Sequence, residues 1–239
     1  MELTYWTLKN KKKKVLLPCE ANLTSLDEFY ASQISSRQGD YSAFKKNWEA
    51  GGKNKFFVPR VVAKQLSKAE IAEFGFNLKD ELFCGAQKVY TVVWTIGDAL
   101  EKSVASLMES GQLTAGLMLD VAGSVALRNI RHNLIDWLSA HSRGASRFVC
   151  AEYYPGLKVF PLKFVPRVLE ITGARNILGV FANESCFLNP AKTKCAFFFL
   201  GEKAHKTKPI RCIPCTHEKC LYWQMGGCHM LFLDDAPTH

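Results

Sequence analysis

In the middle of the chain, the pattern of hydrophobic residues predicts a strand, then a helix, and then a longer helix. The stretch KVYTVVWTIG, Lys88 to Gly97, is rich in β-branched and aromatic residues and stops at a glycine, which predicts a buried strand. Apolar residues then recur at helical spacing from Leu100 to Met108, and Gly111 predicts the end of this first helix. From Ala115 to about His141 the same spacing persists, which predicts one long helix.

Weaker patterns flank this centre. Residues 1–65 have little periodicity, and we expect short strands and turns around one or two helices. SKAEIAEFGF, Ser67 to Phe76, has a serine three residues before Glu70, which is the spacing of a capping box and predicts a short helix. KCAFFFLGE, Lys194 to Glu202, has consecutive phenylalanines without alternation and predicts a buried strand. Strands separated by helices favour an α+β fold.

Composition narrows the class of protein. With 239 residues, 48% of them hydrophobic, the chain can bury a large core in one large domain or two small ones. Its first residues place charge after the apolar positions, the reverse of a secretory signal, and no long uncharged apolar run predicts a membrane span. The sequence therefore predicts a cytoplasmic protein without a membrane partner.

The formal net charge of +9 indicates an acidic protein partner, and less strongly a nucleic acid. Part of it comes from KNKKKK, Lys9 to Lys14, which is too short to define a groove. No RNA-recognition, KH or zinc-finger signature is present, so we expect an acidic protein partner and rank a nucleic-acid binder built on a zinc knuckle last. Hydrolase motifs are also absent, and no catalytic residue is assigned.

Four cysteines near the end of the chain carry the strongest chemical signal. Cys212, Cys215, Cys220 and Cys228 have the spacing C-x2-C-x4-C-x7-C, and four thiolates this close complete the ligand set of a [4Fe-4S] cluster or of tetrahedral zinc. Three cysteines within nine residues favour the iron-sulfur cluster, and zinc is the alternative. Residues 206–239 are thus predicted to form a small metal module after a main domain, 1–205. The other five cysteines are read as small buried residues, namely Cys19, Cys84, Cys150, Cys186 and Cys195.

Three segments in the same order resemble a known family. Val92 to Ile130 resembles the TlG…llDaigSvavEal segment of the activation domain of cobalamin-dependent methionine synthase and its stand-alone anaerobic relatives. Tyr154 to Leu162, YPGLKVFPL, resembles SPGYgdwPL, and Gly179 to Glu202 resembles the family's next motif. The first three cluster cysteines, followed by Tyr222, are similar to the ending of the stand-alone members. The resemblance covers roughly residues 88–224.

The resemblance implies a fold and a partner. Members of this family have a twisted antiparallel sheet with flanking helices, bind S-adenosylmethionine and dock on a corrinoid (vitamin B12) domain. There they support reductive methylation, in which an inactive cobalt(II) corrinoid receives an electron and is trapped by methyl transfer. The chemistry belongs to the cofactors, while the protein supplies binding and orientation.

The sequence departs from the family at the positions that hold the ligand. In an ungapped match the family's arginine before SPGY falls at Glu152, its tyrosine at Leu157 and the glutamate of its helix motif at Arg128. A carboxylate at the arginine position would repel the ligand's own carboxylate, which disfavours S-adenosylmethionine binding. We hypothesise that Arg128 and Glu152 form a reversed ion pair; alternatively, a loop insertion makes Arg147 the family arginine.

Two functions follow as expectations. The first is an iron-sulfur protein that docks on a corrinoid protein or corrinoid-dependent methyltransferase and supports electron transfer to cobalt. Its expected cofactor-binding residues are Arg128, Glu152, Tyr153, Tyr154 and Gly156, and the last three are expected to face the corrinoid. The alternative is a non-enzymatic binding or scaffold module of the same fold with a structural zinc site.

Overall fold

The computed structural model describes residues 1–6, 12–17, 38–142, 148–156 and 160–202. These residues fall into two compact units. The first unit is drawn from Met1–Pro18, Pro59–Thr95 and Arg131–Thr207, and the described residues of the second lie within Cys19–Val58 and Ile96–Ile130. The four cluster cysteines lie outside the described residues, as do Cys19, Arg147 and Leu157.

A six-stranded sheet organises the first unit. Its strands are β1 (Glu2–Trp6), β2 (Lys12–Leu16), β3 (Arg60–Gln65), β4 (Lys88–Thr95), β5 (Phe148–Tyr153) and β8 (Thr193–Gly201). Their order is β2-β1-β3-β4-β8-β5, so β2 and β5 are the outer strands of the sheet. Only β1 and β3 run parallel, while the other pairs are antiparallel. Two short strands, β6 (Phe181–Ala182) and β7 (Leu188–Asn189), form a separate ribbon. The expected α+β class with a mostly antiparallel sheet is confirmed.

Seven α-helices lie within the described residues. They are α1 (Gln38–Asn47), α2 (Lys53–Phe56), α3 (Lys68–Glu73), α4 (Ala99–Glu109), α5 (Leu113–His141), α6 (Val165–Thr172) and α7 (Ala174–Leu178). The helices predicted after the central strand are confirmed as α4 and α5. The capping box predicted for α3 is also confirmed, because Ser67 Oγ accepts from the backbone N–H of Glu70 and the Glu70 carboxylate accepts from the backbone N–H of Ser67.

The central strands β4 and β8 are buried because their residues are apolar on both faces. On one face, Phe197 contacts Phe76 and Phe160 at ring-centroid distances of 4.8 and 4.4 Å, and Phe199 stacks on Phe83 at 4.6 Å. Residues of α6 and α7 complete this phenylalanine core. On the other face, Tyr5 of β1 contacts Trp137 and His141 near the end of α5. The sheet therefore carries α6 and α7 on one side and the last turns of α5 on the other.

Helix α5 is the one described helix that is long and apolar enough, by length and composition, to cross a membrane. In its most apolar stretch 56% of the residues are buried inside the protein. Buried helices of protein cores meet the same test, so this is weak evidence for a membrane span.

In the second unit the N-terminal part of α5 packs on α4. A Cβ atom added at Gly116 would lie 3.0 Å from Met108 Cε, which shows how closely the two helices approach. Gly111, with φ +79°, makes the turn between them, a conformation that side chains rarely adopt. The prediction that the first helix ends at this glycine is confirmed.

We expect Phe197→Ala to lower the free energy of unfolding by about 3–5 kcal/mol, because it opens a cavity among the phenylalanines of the core. Phe187→Ala is the matched control, since Phe187 is 61% exposed, and it should cost less than about 0.5 kcal/mol. Urea unfolding followed by circular dichroism measures both. Equal losses in the two variants would contradict this account of the core.

Candidate functional site

The predicted site residues meet at the end of β5, the outer strand of the sheet next to β8. Glu152 lies opposite Phe198, and Tyr153 lies opposite Phe197. Because side chains alternate along a strand, Tyr153 joins the phenylalanine core while Glu152 faces the last turns of α5. Glu152 is thus a carboxylate held between the sheet and a helix.

Arg131 of α5 is the ion-pair partner of Glu152. Its Nε donates to both carboxylate oxygens of Glu152, at 2.9 and 2.8 Å, and its Nη2 donates to Oε2 at 2.5 Å. The two side chains are 2% and 1% exposed. Such a two-pronged contact is the strongest geometry for this pair, and burial removes the solvent screening that weakens surface pairs.

Tyr154 is the third residue of this network and contacts the carboxylate of Glu152. Its hydroxyl donates to Glu152 Oε1, and its ring packs edge-on against Trp94. Burial raises the pKa of the Tyr154 hydroxyl well above its ordinary value, and the nearby Glu152 carboxylate raises it further. Burial by itself would lower the pKa of Arg131, but the Glu152 charge and hydrogen bonds raise it above its ordinary value. Tyr154 therefore stays neutral and Arg131 stays charged at physiological pH.

The network of Arg131, Glu152 and Tyr154 has a structural role. Both oxygens of Glu152 already accept hydrogen bonds, and the tyrosine beside it does not release its proton near neutrality. A general base needs a free lone pair and a pKa near the working pH. The network therefore fixes β5 against α5 as an overall neutral unit and does not prepare a proton transfer.

The structure corrects one residue of the sequence hypothesis. We expected Arg128 to pair with Glu152. The guanidinium that contacts Glu152 is instead that of Arg131, one helical turn further along α5. Sequence reasoning missed Arg131, although it falls in the stripe of buried residues that includes Leu127, Leu134 and Leu138. An arginine at a core position of a helix signals a buried acidic partner. A cofactor-binding role for Arg128 remains a prediction, and Arg147 lies outside the described residues.

The loop expected to face a corrinoid is largely buried. Tyr153 is 4% exposed and its hydroxyl donates to the carbonyl of Leu82, at 2.5 Å, while Tyr154 is 5% exposed. Gly156 is exposed, and its φ of +91° lies in the region that favours glycine. Of these three residues, only Gly156 presents surface to a partner in this structure, and binding by the set remains a prediction.

Of the four described cysteines, Cys150 and Cys195 are buried as expected, whereas Cys84 and Cys186 are partly exposed, contrary to the expectation. No group of three or more metal-ligating side chains occurs in the part of the chain that the structure describes. Burial raises the pKa of Cys195 to about 12, and burial together with the neighbouring Cys84 raises that of Cys150 to about 11. Such thiols are poor nucleophiles and poor ligands at neutral pH. The predicted metal ligands, Cys212, Cys215, Cys220 and Cys228, lie outside the described residues.

The second unit contains a cavity of about 530 Å³. Its lining includes Phe44, Trp48, Phe56, Leu107 and Met118. This volume and apolar lining are typical of small-molecule sites. Sequence reasoning missed the cavity, because it depends on how α1 meets α4 and α5 in space.

A double-mutant cycle tests the buried ion pair. Arg131→Met leaves an unpaired buried carboxylate and Glu152→Gln leaves an unpaired buried guanidinium, so each should lower the free energy of unfolding by about 3–5 kcal/mol. The double variant keeps an acceptor for Tyr154 and buries no charge, so its loss should be far smaller than the sum of the single losses. Additive losses in urea unfolding would contradict the pairing.

Tyr154→Phe tests the protonation state of the tyrosine. An unfolded tyrosine ionises near pH 10, and the folded pKa is higher, so the stability that the hydroxyl contributes is present below about pH 10 and is lost as the pH rises further. Between about pH 8 and pH 11 the wild-type protein should lose more of its unfolding free energy than the variant does. A difference in unfolding free energy that does not change with pH would contradict the assignment.

No protein-family model matches the chain, and no curated protein sequence matches it. A solved structure does: the crystal structure of the MetH reactivation domain bound to AdoHcy, with a TM-score of 0.57 and 10% sequence identity. The match covers 75% of this chain and 70% of that one. At this identity the likeness is one of fold, and this chain has the fold of a MetH reactivation domain.

Proposed function

We propose that this protein acts on a corrinoid protein or corrinoid-dependent methyltransferase, carries an iron-sulfur cluster on its last cysteines, and supports electron transfer to cobalt. The observation that carries the proposal is the fold shared with the MetH reactivation domain over three quarters of the chain. The order of the sequence motifs between residues 88 and 224 agrees with this fold.

The buried ion pair of Arg131 and Glu152 supports a function that does not require S-adenosylmethionine as a methyl donor. In the family resemblance, Glu152 occupies the position of the ligand-binding arginine, and its carboxylate is neutralised by Arg131 and not by a ligand. A carboxylate ligand arriving there would meet a guanidinium that is already engaged through two nitrogens. We therefore propose that the fold serves docking and support of electron transfer, and that S-adenosylmethionine is not its ligand.

The donor set of the C-terminal cysteines suits an iron-sulfur cluster. Four thiolates from Cys212, Cys215, Cys220 and Cys228 match the four ligands that a [4Fe-4S] cluster needs. Such a cluster supplies one electron at a time at low potential, which is what a cobalt(II) corrinoid requires for activation. The basic excess of the chain favours docking on a negatively charged partner.

Metal analysis of the full chain, purified without air, tests the proposal. We expect about four irons and four sulfides per chain, with a broad visible absorption that bleaches on reduction. Cys215→Ser should lose most of the iron and the absorption. Cys186→Ser is the matched control and should keep both, because Cys186 is not one of the four predicted ligands and the described part of the chain contains no group of three or more metal-ligating side chains.

One zinc per chain and no iron would overturn the electron-transfer proposal. The protein would then be a scaffold or binding module with a structural metal, and the fold likeness would stand unchanged. Iron retained in Cys215→Ser at the wild-type level would instead show that the cluster uses other ligands.

A further inference from the structure

The outer edge of β2 is a basic strand edge with no described partner. β2 reads KKKVL and pairs with β1 on one side, and within the described residues no strand pairs with its other side. Its three lysines are exposed, and Leu16 is 80% exposed. A short polar strand with this much exposed surface is held in the sheet by backbone pairing and not by burial.

The hydrogen-bond pattern between β1 and β2 shows which backbone groups of β2 face outward. Met1 and Leu17 exchange both backbone hydrogen bonds, each at 3.0 Å. Hydrogen-bonded and non-hydrogen-bonded pairs alternate in an antiparallel ladder, so Val15 and Lys13 also bond to β1. The N–H and C=O groups of Lys12, Lys14 and Leu16 therefore point away from β1, where an added strand would pair with them.

The side chains of β2 define what kind of strand fits. Lys14 contacts Glu2 at 2.8 Å and Lys12 lies over the ring of Trp6, at 5.8 Å from its centroid, so both lie on one face of the sheet. Lys13 lies on the opposite face, beside Tyr5. Positive charge thus flanks the first three positions of the edge on both faces, while Val15 and Leu16 make its last two positions apolar.

We propose that this edge binds an extended acidic segment of a partner protein by strand addition. An antiparallel segment with two apolar residues followed by three acidic ones would place the apolar residues beside Leu16 and Val15 and the acidic residues beside Lys14 to Lys12. The main-chain bonds supply affinity, and the charge pattern supplies selectivity. This site lies outside the cysteine region and does not depend on the proposed cluster.

A peptide strand suits the edge better than a nucleic acid does. The outward groups of Lys12, Lys14 and Leu16 include carbonyl acceptors as well as N–H donors. Phosphate groups offer acceptors only, so they would bond to the lysines and the N–H groups but not to these carbonyls. An extended peptide satisfies donors and acceptors together.

Fluorescence anisotropy with the full chain at about 0.15 M salt tests the proposal. The probe is fluorescein-labelled Gly-Val-Val-Glu-Glu-Glu-Gly, and the control peptide is N-methylated at the three residues opposite Leu16, Lys14 and Lys12. We expect saturable binding of the probe below about 1 mM and at least about tenfold weaker binding of the methylated peptide, which keeps the charge but cannot form the ladder.

Charge reversal on the protein gives a second test. Lys12→Glu/Lys13→Glu should weaken probe binding at least about tenfold, while Lys68→Glu/Lys79→Glu, the same charge change on exposed lysines elsewhere, should leave it within about twofold. Circular dichroism confirms that both variants are folded. A single-stranded deoxythymidine oligonucleotide serves as the nucleic-acid probe.

Four outcomes would overturn the proposal. They are absence of binding up to about 1 mM, equal binding of the methylated peptide, equal weakening by the two charge reversals, and binding of the oligonucleotide in place of the peptide. The first would mean that the lysines only keep the edge from pairing with other strands. None of these outcomes changes the expected metal content.

Discussion

Two opposite charges buried between the sheet and its longest helix constrain the first unit. Arg131 and Glu152 are stable there only as a pair, because either charge alone would have to be removed from water without compensation. The pair ties α5 to the outer strand β5. Tyr154 depends on the same pair, since its neutral hydroxyl completes the set of bonds on the carboxylate.

Because of this ion pair, the similarity in fold to the MetH reactivation domain does not extend to the ligand-binding position. A fold similar to the MetH reactivation domain is retained at 10% identity, because the apolar strands and helices that build it can vary while keeping their pattern. The position that the family resemblance assigns to a ligand-binding arginine instead holds half of an internal ion pair. Shared architecture does not by itself carry a function, which depends on the particular residues that each chain places on the fold.

The sequence predicts the central strands and the helices next to them well, but it predicts the outer strand β2 and the contacts between elements poorly. β4, β8, α4 and α5 follow from long apolar patterns, and α3 follows from the capping box at Ser67. β2 has no such pattern, because a strand of lysines forms only through pairing with β1. Arg131 was missed for a different reason: its partner lies 21 residues away on a strand, and the ungapped family match pointed to Arg128 instead. Both failures concern contacts between elements.

Titration calorimetry of the full chain with AdoHcy tests most directly whether the buried pair has replaced a ligand site. We expect no saturable heat up to about 1 mM AdoHcy, because Arg131 is paired with Glu152 and a second carboxylate would be repelled. Binding of one AdoHcy per chain at micromolar concentration would contradict this expectation. That result would mean that this chain keeps a ligand site like that of the domain whose fold it shares.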